Sequence, residues 1–273
     1  MRQQKLTQDD AVAFLKPFYG DGSEDLLLSL KKVSVAQEAM IKLCPAWFWQ
    51  GDGLTPGGLV TLHFWNLMDN PDAPPGMAFV RQNVVSVKEY VAALLSGDAG
   101  LQQKEAEWKS THKETPVEVI DFMLACADEA IVAAQQFRQH APANAPYLQD
   151  IVASAVIHKQ LVLRDVAFLR AAIAFYKSGG QFDDKYNKSQ TMNETGVNER
   201  DECLHQLQAL IDHDEILRKL CYDYAPRRRQ TRSKNDYSFE KKVAVVLGQR
   251  LKIPEINTQE LNAAAALIAP PSK

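Results

Sequence analysis

The stretch from Pro146 to Ser178, PYLQDIVASAVIHKQLVLRDVAFLRAAIAFYKS, most constrains what this chain can fold into. No longer segment runs without an internal proline or glycine. Pro146 suits a first helical turn, where a missing N–H costs nothing. Gly179-Gly180 supplies a stop. As one helix the segment extends roughly 45 Å at about 1.5 Å per residue. Its apolar residues do not keep to one face. Ile151, Val162, Leu169, Ile173 and Tyr176 form one stripe, and Ile157, Leu161, Phe168 and Phe175 another. A helix that is apolar on most sides is surrounded by other elements. The expectation is a mainly α protein, a multi-helix bundle-like domain built around this central helix, with little or no β structure.

Other helices are marked by their ends. Thr115-Pro116-Val117-Glu118 combines an N-cap, a first-turn proline and a capping glutamate, and predicts a helix to about His140. It pairs antiparallel with the central helix across the loop APANAP. Ser86 with Glu89 is a second capping box, for a helix stopped by Gly97. Ser34 with Gln37 predicts a brief helix to Leu43, and Ser23 precedes the acidic pair Glu24-Asp25. Asn198 is positioned to cap a helix over 199–224 that Pro226 ends, and TQELNAAAALIA forms the last helix before Pro270-Pro271. Strand, if present, is confined to about 59–68, 77–85 and 243–247. The polar segment 101–114, an exposed helix or a connection, suggests a boundary between an N-terminal helical region, 1–110, and a helical core domain, 111–273.

Charge and cysteine usage narrow the classes of function. Net charge is −3 with 24% charged residues, so nothing global draws the chain to nucleic acid or membrane. Arg164, Asp165 and Arg170 exclude the central helix as an ordinary transmembrane span. The segment MRQQKLTQDDAVAFLKPF has no uninterrupted apolar run, so no secretory signal is expected. Cys44, Cys126, Cys203 and Cys221 are dispersed, without a CxxC pair. Together these features predict a cytoplasmic protein with no cofactor and no metal centre.

Three features carry the functional expectations. Trp47, Trp49 and Trp65 lie close in sequence among glycines and prolines, as a satellite hydrophobic cluster or an aromatic recognition surface. GDGLTPGG shares only glycine content with a phosphate loop and lacks its Lys-Ser/Thr pair. The segment 227–242 holds seven Lys/Arg against Asp236 and Glu240, a local balance of +5. Arg227, Arg228, Arg229 and Arg232 there could track an RNA backbone. A long polar stretch, QFDDKYNKSQTMNETGVNE, precedes the helix that follows.

The third feature is on that helix. Cys203, Leu207, Leu210, Leu217 and Cys221 make an apolar stripe, with Asp201, His205, Asp212, Glu215 and Lys219 roughly opposite. A solvated face accounts for this arrangement, with Asp201 and His205 free to pair four residues apart. Glu202-x-x-His205 has the spacing of half a di-iron site, but no second Glu-x-x-His exists. Arg200-Asp201-Glu202-Cys203-Leu204-His205 reads R-[polar]-x-x-x-H, which resembles the signature of HEPN-domain ribonucleases. That resemblance implies an all-α endoribonuclease of a toxin or defence system, working as a homodimer. His205 would then do acid-base work at the ribose, and Arg200 would hold the phosphate. On the main chain of argument the protein acts by macromolecular binding, with a protein partner, and ribonuclease action is the alternative. His158, on the central helix with Asp165 seven residues on, is expected to be buried beside a carboxylate.

Overall fold

The computed structural model describes residues 7–43, 84–179, 181–182, 189–190, 197–224, 241, 244 and 257–269. Eight α-helices lie among the described residues: α1 (Gln8–Tyr19), α2 (Ser23–Leu43), α3 (Val87–Leu95), α4 (Asp98–Ser110), α5 (Pro116–His140), α6 (Leu148–Lys177), α7 (Val197–Tyr224) and α8 (Thr258–Ile268). More than half of the whole chain is helical, as expected of a mainly α bundle. Among the described residues no helix is long and apolar enough to cross a membrane.

The expected central helix is α6, and 19 of its 30 residues are buried. It touches α2, α3, α5, α7 and α8, most extensively α7. Its start differs from the expectation. Pro146 precedes the helix, and Tyr147 occupies the N-cap in the left-handed conformation, at φ 59° and ψ 16°. Thr115 and Glu118 form the expected reciprocal cap on α5, with Glu118 N–H donating to Thr115 Oγ1 at 3.2 Å. The α5–α6 pair is antiparallel. Val119 and Met123 share a cluster with Phe168 and Phe175, while Ile131 and Ala134 pack with Ala153 and Val156.

Other boundaries moved. Ser34 opens no helix, because α2 runs unbroken from Ser23. Its interior is held by burial of Ala36 and Ala39, which overrides the local cap pattern. Asn198 lies inside α7 rather than at its cap. Segment 101–114 is largely helix α4, anchored by buried Trp108, whose indole N–H donates to Glu89 Oε1 at 3.1 Å. A two-stranded antiparallel hairpin, Gln181–Phe182 with Ser189–Gln190, falls outside the three stretches expected to hold any strand. Each strand is two residues long, too short for an alternating pattern to mark it in the sequence. From 77–85, Val84 and Val85 are described. Val84 bridges to Glu114, and Val85 N–H donates to Glu114 C=O at 2.9 Å.

The core holds apolar clusters and a buried charge network. One apolar cluster gathers Ala36, Val87, Met123, Phe168, Phe175, Leu207 and Ala244. A second gathers Ile157, Leu161, Ile216, Leu217, Leu220, Ala264 and Ile268, and a small third holds Val85, Ala93 and Trp108. The same two helices, α6 and α7, also bury Arg164, Asp165 and Asp214, at 3%, 6% and 0% exposure. The Arg164 guanidinium donates to Asp165 Oδ1 at 2.8 and 2.5 Å, and its Nη1 is 3.5 Å from Asp214 Oδ1. Arg218 Nε is 3.3 Å from Asp214 Oδ2, and Arg218 also pairs with Glu215. Burial opposes the Arg164 charge, but Asp165 and Asp214 outweigh it and raise its pKa.

Candidate binding groove between α2, α6 and α7

Helical spacing brings two stripes face to face. On α2 these are Leu30, Val33 and Gln37; at the start of α6 they are Tyr147, Ile151, Ser154, His158 and Leu161. Steps of three and four keep each set on one face of its helix. Leu217 and Cys221 of α7 complete the floor. The space enclosed is about 320 Å³. Its rim is exposed, with Leu30 at 51% and Tyr147 at 65%. Its floor is buried, including His158 at 6%. Ser29 fixes one wall by donating its hydroxyl to Ala130 C=O of α5 at 2.9 Å. Tyr147 is a bulky residue held at positive φ, a conformation that costs roughly 1–3 kcal/mol and collects at functional sites.

His158 is buried as expected, and Asp165 accepts from Arg164. The sequence pattern had placed His158 on a core stripe; the groove floor it forms needs α2 and α7, which the pattern does not locate. A second histidine, His213, sits where three helices meet. Its Nδ1 faces Gln160 Oε1 and Glu260 Oε1, each at 3.2 Å, joining α7 to α6 and α8. Arg138 adds to this docking by donating to the carbonyls of Ile268 and Ala269 at 3.1 and 2.8 Å, where the α8 dipole is negative.

Burial lowers the His213 pKa from 6.5, against the raising influence of Glu260 and Asp212. With the folded value below the unfolded one, the unfolded chain takes up the proton first as pH falls. Stability therefore declines below about pH 6.5, by at most about 1.4 kcal/mol per pH unit, until the folded form also protonates. His213→Gln should flatten that part of the urea-unfolding pH profile. An unchanged slope would assign it to other groups.

Arg200 and His205 lie near the start of α7, apart from the groove. Five positions on a helix separate side chains by about 140° around the axis. Arg200 is half-exposed, its Nε 3.9 Å from Asp201 Oδ1. His205 is exposed, its Nδ1 3.5 Å from Gln206 Nε2. Glu202 accepts from Gln206 Nε2 at 2.7 Å. Within one chain the helix does not bring Arg200 and His205 together. The tryptophans Trp47, Trp49 and Trp65 lie outside the described residues, as do Arg227, Arg228, Arg229 and Arg232. Among described residues, α1 presents an exposed aromatic pair. Phe14 and Phe18 are exposed with ring centroids 6.2 Å apart.

No protein-family model, no curated protein and no solved structure matches this chain.

Proposed function

We propose that this protein acts in the cytosol by binding a protein partner, and that the α2–α6 groove receives an apolar helix of that partner. The observation that carries this reading is the pairing of two helical stripes into a groove whose rim exposes Leu30 and Tyr147 above an apolar floor. An amphipathic helix presents anchors at the matching steps of three, four and seven. The cytosolic setting is supported by Cys126 and Cys203, which are buried thiols, with burial pushing the Cys203 pKa up to about 12. The test is Ser154→Trp, which places an indole in the groove from an exposed position. The variant should melt within about 2 °C of wild type, as surface substitutions do. It should lose a partner that wild type captures and that Leu30→Glu also loses. A partner retained by both variants would reject the groove as its site.

The exposure of His205 on the polar face of α7 favours a second reading, RNA cleavage by a pair of chains, with segment 227–242 holding the RNA. Incubation of the pure protein with mixed RNA at neutral pH tests it. The binding reading expects intact RNA. Cleavage abolished by His205→Ala without loss of fold would establish the ribonuclease instead.

A further inference from the structure

The groove also has a charge preference, and this inference rests on the groove reading above. Asp150 is exposed one turn beyond Tyr147 and lines the groove. Among the described lining residues it is the one carboxylate, and none is lysine or arginine. Two lysines of the flanking helices are engaged elsewhere. Lys32 pairs with Glu129 and Lys159 with Asp128, both on α5. The polar side chains that remain along the groove, Ser29, Gln37, Ser154 and His158, bring no negative charge.

We propose that the occupant is a basic amphipathic helix of a protein partner, whose apolar anchors lie along Ile151, Leu161 and Leu217 while a Lys or Arg flanking them at the Ile151 end meets Asp150. A carboxylate at that place would face Asp150 with no cation among the described lining residues to offset it. Tyr147 strengthens the choice. Its exposed ring adjoins Asp150 in the same wall and offers a face to an ammonium or guanidinium. The conformational cost of holding Tyr147 at positive φ falls at this end of the groove.

The experiment selects binders from a library of helical peptides displayed on a fixed scaffold. Apolar anchors stand at i, i+4 and i+7, and the flanking positions are randomised over all residues. Selection is run on the full chain, on Asp150→Lys, and on Ser154→Trp to identify binders that need the groove. Wild type should enrich Lys and Arg beside the anchors. Asp150→Lys should enrich Asp and Glu there, and should bind a wild-type-selected peptide at least about tenfold more weakly. Asp150 lies in the first turn of α6, where a lysine opposes the helix dipole, so Asp150→Lys should melt at most a few degrees below wild type; Asp150→Asn, expected to give an intermediate affinity, supplies a second variant. Groove-dependent binders with no basic enrichment, or with the same charges selected by Asp150→Lys, would overturn the charge inference and leave the groove standing. A failure to recover any binder blocked by Ser154→Trp would overturn both.

Discussion

Asp214→Ala should lower the unfolding free energy by about 3–5 kcal/mol. Asp214 is fully buried between Arg164 Nη1 at 3.5 Å and Arg218 Nε at 3.3 Å. Removing its carboxylate withdraws a buried counter-charge from both Arg164 and Arg218. Withdrawing a buried counter-charge is among the few single changes that cost this much. The network as a whole has a different value from its broken form. Replacing Arg164, Asp165 and Asp214 together with Met, Leu and Leu should cost far less than Asp214→Ala, because desolvating the ions offsets most of their attraction. Urea unfolding of the single and triple variants decides it. A loss below about 1 kcal/mol for Asp214→Ala would mean that water reaches the layer.

Phe168→Ala should cost about 3–5 kcal/mol. Phe168 lies on α6 in the cluster shared with Met123, Leu207 and Phe175, so the lost ring leaves a cavity enclosed by three helices. The same substitution at a peripheral helix, Phe14→Ala on α1, should cost less than about 0.5 kcal/mol, since Phe14 is exposed. Equal losses at the two positions would deny α6 its central place.

These costs trace what the sequence makes legible. The absence of proline and glycine from 147–178, with apolar residues on most faces, marks a surrounded helix, and α6 is surrounded. Thr115, Pro116 and Glu118 carry their own local geometry, so α5 starts where expected and ends at His140. Where burial competes with a local signal, burial decides. Ser34 reads as a cap, but Ala36 and Ala39 are packed in the core and α2 continues through it. Arg164 and Asp165 stand out in an apolar helix, yet a further carboxylate paired with Arg164, Asp214, is 50 residues away on another helix. No pattern within one element announces that pairing. The groove is illegible for the same reason: Leu30, Tyr147, His158 and Cys221 come from three helices and read separately as ordinary core or surface. Arg200 and His205 show the converse. Their spacing resembles a family signature, while one helix turns them about 140° apart.

The most direct measurement of the central claim is backbone hydrogen exchange of the full chain, with and without a groove-dependent partner. Docking of a helix between α2 and α6 should slow exchange at 29–37 and at 147–158, and leave α1 and the first two turns of α7 unchanged. Slowing confined to α1 around Phe14 and Phe18, or to α7 around Arg200 and His205, would contradict the groove as the site of binding.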